Sequence, residues 1–232
     1  MKTKNIIYIY LISCVFFFSS LGDKSNTELA ANKLIEIRNA YNRLGSYSVT
    51  VKHRYYKSFT NKTPDYEYSG VFAQAPPKYY SNLLGIKTIQ NGIYKITLDV
   101  SSNLLVVDEA DSSYKVQNID FLKLLKVCNS VEFSTSNTGT IIHLQFSQKE
   151  PFKAVHLDIT KKNLINKIKL VHNNSDKSSN YPVTEIEYSG FRFSDPQKDL
   201  FDFTGIVSIK ESKVIIAKEY RQYTLLNNLL KF

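Results

Sequence analysis

Cysteine and arginine are both scarce in this chain, and the two shortages narrow the possible functions. The 232 residues include only two cysteines, Cys14 and Cys128. If an export signal containing Cys14 is removed, no disulfide can form within the chain, and Cys128 is interpreted as a buried structural thiol. The formal net charge of +9 comes mostly from lysine, because arginine occurs at only five positions. The lysines are scattered rather than clustered, which argues against a nucleic-acid-binding surface.

Motifs that carry catalysis are also missing. The sequence contains no glycine-rich phosphate loop, no nucleophile elbow and no metalloprotease helix. Among the four histidines, His143 and His156 are expected to be neighbours, but two imidazoles alone make a weak metal site. We therefore expect that the protein is not an enzyme and that it uses no metal and no cofactor.

The composition is that of a protein with a well-formed core. Apolar residues make up 43% and aromatic residues 13% of the chain, which is enough to bury the core of one domain. Many segments alternate apolar and polar residues with period two, as half-buried strands do. The clearest is Ile86–Val107, in which Asn91-Gly92 and the polar turn Val100–Asn103 separate β-branched runs. This alternation predicts a sheet of antiparallel hairpins.

The N-terminus has the features of an export signal. Two lysines precede the apolar run Ile6–Phe18, and small residues follow it. Residues 1–22 are therefore predicted to be a signal peptide, and the mature chain is expected to begin near Asp23. However, Leu11–Cys14 (LISC) resembles a lipobox, in which Cys14 would carry the lipid. Soluble export, lipidation at Cys14 and an uncleaved anchor remain as alternatives.

Three helices are predicted besides the strands. Apolar residues recur at spacings of three and four from Ala30 to Leu44, which predicts an amphipathic helix that ends at Gly45. The apolar stripe of this helix consists of Ala30, Leu34, Ile37, Tyr41 and Leu44. Ile119–Val127 predicts a second, short and leucine-rich helix. The leucines within Tyr220–Phe232 predict a short amphipathic helix at the C-terminus.

Period-two counting also predicts how some strands pair. If a turn spans Ser147–Phe152, Leu144 lies opposite Val155 and His143 lies opposite His156. One face of the sheet is then aliphatic throughout, and the other face carries Lys, Glu, His and Gln.

The order of these elements resembles that of a known family of exported proteins. An export signal, a long helix, an antiparallel meander, a short leucine-rich helix and further strands lead to a Phe-x-Phe at Phe201–Phe203. Local similarities are Thr88–Tyr94 (TIQNGIY), Asn103–Val107 (NLLVV) and Phe191–Phe193 (FRF). Residues 27–205 are in this way similar to the periplasmic outer-membrane lipoprotein carrier and receptor family, which has the LolA/LolB-like fold.

The resemblance implies a specific α+β fold. This is a strongly curved antiparallel sheet, an incomplete β-barrel, capped by an N-terminal helix and a short central helix. In that family an apolar cavity between sheet and helices holds acyl chains. The carrier also has an arginine before a proline on an early strand, which latches its lid. In this sequence Gln74–Pro76 stands at that place, so the latching arginine is missing. The resemblance therefore implies only a general site for a hydrophobic ligand.

We predict an apolar cavity on the aliphatic face of the sheet. It is expected to hold an acyl chain, a lipoprotein or another amphiphile, in the periplasm or, if Cys14 is lipidated, at the outer membrane. The alternative is a structural or interaction module of the cell envelope whose interior is filled by its own helices. Residues 23–205 are predicted to form the domain, and residues 206–232 a C-terminal extension of strands and a short helix. The predicted cavity residues are Val49, Val51, Ile96, Leu98, Ile142, Leu144, Leu157, Ile168, Leu170 and Ile186.

Overall fold

A computed structural model describes residues 26–111, 120–173 and 181–229. The predicted signal peptide and the lipidation site at Cys14 lie outside the described residues. The chain divides into two compact units. Unit 1 consists of Met1–Tyr41, Lys57–Thr60 and Ile119–Thr184, and unit 2 consists of Asn42–Tyr56, Asn61–Asn118 and Glu185–Phe232.

The described residues form two α-helices, two short 3-10 helices and a series of strands. Helix α1 spans residues 26–43 and α2 spans Phe121–Val127, while the 3-10 helices are Lys198–Phe201 and Lys218–Tyr220. The first strands are β1 Tyr47–Tyr56, β2 Tyr66–Ala75, β3 Lys78–Leu83, β4 Ile86–Gln90, β5 Tyr94–Asp99 and β6 Leu104–Glu109. The later strands are β7 Ser130–Thr135, β8 Gly139–Gln145, β9 Phe152–Thr160, β10 Ile165–His172, β11 Val183–Arg192, β12 Val207–Lys210, β13 Lys213–Ile216 and β14 Thr224–Asn227.

The strands form one large sheet and one small sheet. The large sheet has the order β14-β6-β5-β4-β3-β2-β1-β11-β10-β9-β8-β7, and β12 pairs with β13 in a separate hairpin. Pairing is antiparallel from β1 to β6 and from β7 to β10, whereas β14 runs parallel to β6. The order is open, with β14 and β7 at its ends. The predicted α+β class with a large, unclosed antiparallel sheet is therefore confirmed.

The turns around β5 form where the sequence predicts them. Gly92 has a φ of 99°, and the side-chain oxygen of Asn91 accepts hydrogen bonds from the backbone N–H groups of Ile93 and Tyr94. In the next turn, Asp99 accepts hydrogen bonds from Ser101 and Ser102. These contacts supply the backbone conformations that a tight reversal requires, so the meander follows from local chemistry.

Both predicted helices before β7 are present. In α1 the stripe residues Ala30, Leu34 and Ile37 are buried, although the helix ends at residue 43, before Gly45. Helix α2 starts after Asp120, whose carboxylate accepts a hydrogen bond from the backbone N–H of Lys123 at 3.1 Å. An acidic N-cap of this kind satisfies a backbone donor that the first turn leaves open.

The predicted C-terminal helix is wrong, because Thr224–Asn227 forms strand β14 instead. Backbone N–H groups of Thr224 and Asn228 donate to the carbonyls of Asn103 and Val107 on either side of the pairing with β6. The leucine spacing fits a helix, but the open edge of β6 offers backbone partners that a short isolated helix cannot match. Tertiary pairing therefore overrides the local helical pattern.

Candidate functional site

The aliphatic face of unit 1 is built from two rows of side chains that cross the strands. In the first row Val131 pairs with Leu144, Leu144 with Val155, and Val155 with Leu170. All four side chains are buried. The register predicted for β8 and β9 is confirmed, and the row runs without a polar side chain from β7 to β10.

The second row lies beside the first and contains three more of the predicted cavity residues. Ile142 pairs with Leu157, which pairs with Ile168, and all three are at most 1% exposed. Together the two rows place five predicted residues on one face within unit 1. We call this face the aliphatic wall: Val131, Leu144, Val155, Leu170, Ile142, Leu157 and Ile168.

Helix α1 is tied to the same hairpins by polar contacts. The backbone N–H of Ile165 donates to the hydroxyl of Tyr41 at 3.3 Å, and the ammonium of Lys33 donates to Asn163 at 3.1 Å. These contacts attach α1 to the start of β10 and to the turn before it. Ala30, Leu34 and Ile37 of the apolar stripe are buried, so α1 belongs to the core of unit 1.

An open pocket of about 420 Å³ lies at the N-terminal end of α1. Its lining comes from the first turns of α1 and from the junction between α2 and β7. The apolar part of the lining includes Ala31, Leu125 and Val131, and the polar part includes Glu28 and Asn129. The remaining lining residues are Thr27, Cys128 and Ser130. Val131 is also the first residue of the aliphatic wall, so the pocket and the wall share this side chain.

Cys128 is a half-buried thiol in this pocket. Its Sγ donates to the backbone carbonyl of Leu125 at 3.2 Å, and burial raises the pKa of the thiol. A thiol with a raised pKa is mostly protonated at neutral pH and is a poor nucleophile. Cys128 is thus half-buried rather than buried as the sequence analysis interpreted it, because it lines an open pocket.

The other five predicted cavity residues belong to unit 2. Val49 and Val51 on β1 are buried, and Ile186 on β11 is half-buried. Ile96 and Leu98 on β5 are buried in a hydrophobic cluster that is filled by other side chains of the protein. That these five residues and the aliphatic wall line one cavity stays a prediction.

The cluster around β5 is covered by the C-terminal part of the chain. Phe203, Ile206 and Val207 pack on the inner face of β4, β5 and β6, and side chains from the β12–β13 hairpin pack against them. The buried members are Ile89, Ile96, Leu98, Leu105, Val107, Phe203, Ile206, Val207 and Leu229. Protein side chains therefore already fill this part of the apolar face.

A polar row crosses the opposite face of unit 1. Glu132, His143, His156 and Lys169 stand opposite one another on β7, β8, β9 and β10. The two imidazole rings are stacked with centroids 3.9 Å apart, and His143 Nδ1 is 3.3 Å from a carboxylate oxygen of Glu132. Burial, together with the charges of His143 and Lys169, lowers the pKa of His156 to about 4. In the part of the chain that the structure describes, no group of three or more His, Cys, Asp or Glu is arranged to hold a metal ion.

Sequence reasoning missed the pocket itself. Its polar lining residues come from two segments about 100 positions apart, Thr27–Glu28 and Asn129–Ser130, which only the packing of α1 brings together. The available signal was the short polar break after the amphipathic α2, where Cys128, Asn129 and Ser130 separate a helix from a strand. A polar break of this kind indicates a turn and carries no information about a concave surface.

Comparison with known proteins gives similarity to solved structures only. No protein-family profile matches the chain, and no curated protein matches it. An uncharacterised conserved protein from Thermus thermophilus is 12% identical, with 74% of this chain and 91% of that chain covered and a TM-score of 0.45. Lipoprotein LppX of Mycobacterium tuberculosis is 10% identical, with 69% and 93% covered and a TM-score of 0.40.

A third similar structure is described as a LolA superfamily protein from Nitrosomonas europaea. It is 10% identical, with 71% of this chain and 93% of that chain covered and a TM-score of 0.30. Its description names the family that the sequence resembles. Identities this low and TM-scores below 0.5 say nothing about a ligand or a partner.

Among the described residues, no helix combines the length and the apolar character needed to cross a bilayer.

Proposed function

We propose that this protein is a non-enzymatic binding protein of the cell envelope that holds an acyl chain or another amphiphile in unit 1. The observation that carries the proposal is the position of the pocket. It measures about 420 Å³, and one of its lining residues, Val131, is also the first side chain of the buried aliphatic wall. Small-molecule sites generally have volumes of roughly 300–1,000 Å³ and apolar linings with a few polar groups.

The chemistry of the lining suits an amphiphile. Ala31, Leu125 and Val131 offer apolar contact, while Glu28 and Asn129 stand where a polar head group can be hydrated or bonded. Burial of each methylene contributes about 0.8 kcal/mol, so a chain of eight to ten carbons offsets a substantial part of the cost of association. Affinity is then expected to rise with chain length until the pocket is full.

A longer chain would extend along the aliphatic wall. The wall is already buried, so this extension requires the side chains that cover it to move aside. The predicted cavity residues of unit 2, Val49, Val51 and Ile186, are proposed as a separate apolar contact surface within that unit. An exported location follows from the predicted signal peptide, and the proposed partners are lipoproteins or free amphiphiles.

Two tryptophan substitutions, each at an alanine of α1, test the site. Ala31 lines the pocket and Ala40 lies on the same helix outside it, and both are half-buried. We expect Ala31→Trp to weaken binding of a fluorescent fatty acid at least about tenfold, because the indole occupies the space of several methylenes. Ala40→Trp should leave the affinity within about twofold, with matching melting curves for both variants.

Protection of the Cys128 thiol by a bound fatty acid locates the ligand independently of the tryptophan variants. With Cys14→Ser in the full chain, Cys128 is the only thiol and lies in the pocket. Fatty acids of increasing chain length should slow its reaction with a thiol reagent progressively at alkaline pH. Equal fatty-acid affinity for both tryptophan variants, or a rate at Cys128 that no fatty acid changes, contradicts the proposal.

The second candidate is an interaction module with a filled interior, and one observation favours it. Residues of the C-terminal segment fill the apolar face of β4, β5 and β6, including predicted cavity residues Ile96 and Leu98. If unit 1 is filled in the same manner, the wild-type protein should bind no fatty acid. Mass spectrometry of organic extracts from the purified protein should then find no bound amphiphile.

A further inference from the structure

One face of the β1–β2 hairpin changes from buried to exposed along its length. At one end of this face Val49 pairs with Phe72 and both are 3% exposed. At the other end Tyr55 pairs with Tyr66 and His53 with Tyr68, on the same face by period two. Tyr66 and Tyr68 are 43% and 46% exposed. The inner face of the hairpin thus continues into solvent as an aromatic surface.

We call the aromatic side chains at the exposed end of this face the aromatic patch: His53, Tyr55, Tyr66 and Tyr68. His53 and Tyr55 stack with centroids 6.3 Å apart, and Tyr55 meets Tyr68 edge to face at 6.1 Å. Burial lowers the pKa of His53, so its imidazole is neutral at pH 7. The patch is therefore an uncharged surface of rings with polar tips.

The opposite face of the same hairpin is ionic and fixes it in place. The Arg54 guanidinium donates to Glu67 on β2 at 2.8 Å and to Glu187 on β11 at 2.6 Å. Lys52 lies 3.2 Å from the other carboxylate oxygen of Glu67. A planar guanidinium between two carboxylates restricts both neighbouring strands, so the aromatic patch rests on a rigid support.

The patch has the chemistry of a surface that meets the boundary between water and lipid. Tyrosine combines an apolar ring with a hydroxyl and is enriched at membrane–water interfaces for that reason. The connection between the two strands carries two exposed lysines, Lys57 and Lys62, against one exposed acid, Asp65, and the net charge of the chain is +9. Positive charge beside an uncharged aromatic surface complements anionic lipid head groups.

We propose that the aromatic patch docks on an anionic bilayer surface. The inference rests on the proposed function in one respect: an amphiphile carrier has to exchange its ligand with a membrane. Val51 and Val49, which are buried, lie on the same face of β1 as His53 and Tyr55, so the patch is the exposed end of a face that is apolar at its other end.

Tryptophan fluorescence tests the docking directly, because the chain contains no tryptophan. Tyr68→Trp places a single reporter in the patch, and Ile93→Trp places one at a 66% exposed position in a turn of the same unit. With vesicles of phosphatidylcholine and phosphatidylglycerol, the Tyr68→Trp emission should shift to the blue and be quenched by brominated acyl chains. The Ile93→Trp emission should do neither.

Two further substitutions in the Tyr68→Trp background and a change of salt concentration complete the test. Tyr66→Ser in the Tyr68→Trp background should reduce the quenching by more than half, whereas Ile215→Ser, at a 51% exposed position of the same unit, should not. Added salt should weaken the signal, because it screens attraction to anionic lipid. Binding through the N-terminal apolar run would leave Tyr68→Trp unquenched, and this result overturns the proposal.

The result separates docking from ligand binding. Fatty-acid affinity and protection of Cys128 are measured without vesicles, so they report on the pocket alone. A protein that binds fatty acid but shows no quenching of Tyr68→Trp has the proposed function and lacks the docking surface. An emission shift with a soluble polysaccharide instead of vesicles assigns the patch to a glycan and also overturns the proposal.

Discussion

At the scale of single residues, His156 connects structure with pH most directly. Its pKa is lowered to about 4 by burial and by the neighbouring charges of His143 and Lys169. In the unfolded chain the same imidazole titrates near pH 6.5. Between these values the unfolded state binds the proton and the folded state does not, so stability falls as the pH decreases from about 6.5 toward 4.

The pH dependence predicts the behaviour of a single variant. Urea denaturation of the wild type at pH 7 and pH 5 should show lower stability at pH 5, and His156→Gln should reduce this difference. Lys153→Gln, at an exposed position on the same strand, should leave the difference unchanged. Glu67 and Asp99 have lowered pKa values, so their contribution is lost only at more acidic pH. An identical difference in wild type and His156→Gln would mean that His156 is not held neutral.

The side chain of Gln90 makes hydrogen bonds that the sequence does not reveal. It is 2% exposed, and its side chain accepts from the backbone N–H of Asp111 at 3.0 Å while donating to the carbonyls of Pro77 and Asp111. The side-chain amide of Gln90 therefore bonds to backbone groups as a neighbouring strand would. In this way it connects segments that are distant along the chain. In the sequence Gln90 is an ordinary polar residue of a strand.

At the scale of elements, α1 allows a matched test of helix burial. Ile37 is 3% exposed and Ile35, two residues earlier on the same helix, is 37% exposed. Ile37→Asp should destabilise unit 1 by about 3 kcal/mol or more, because it buries a carboxylate among apolar side chains. Ile35→Asp should change stability by only about 0.5 kcal/mol. Circular-dichroism melts measure both, and equal melting temperatures would show that the stripe is not core.

At the scale of the whole molecule, the predicted export signal leads to a prediction about where the mature chain begins. The lysines before the apolar run Ile6–Phe18 predict export. The intact mass of the protein from its native source should correspond to a chain that begins near Asp23. A diacylglyceryl-modified chain beginning at Cys14 would place the protein on a membrane, and the full-length mass would indicate an uncleaved anchor.

Much of the fold could be predicted from the sequence because its causes are local. The turns at Asn91–Gly92 and Val100–Asn103 depend on residues within four positions of one another, and period two assigns each strand residue to a face. The same counting placed Leu144 opposite Val155 and His143 opposite His156, as the structure confirms. The apolar stripe of α1 likewise follows from helical spacing.

The tertiary structure alone decided where distant segments meet. Strand β14 lies on the open edge of β6, although its leucines are spaced as in a helix, because backbone hydrogen bonds at a sheet edge outweigh a weak local preference. The pocket at Val131 and the covering of Ile96 and Leu98 by Phe203 and Ile206 arise from contacts about 100 residues apart in sequence. The sequence by itself determined strands, turns and faces, since these depend on neighbours along the chain. Packing decided which parts of the apolar face are filled and which remain open, since that depends on volumes that meet only in the folded chain.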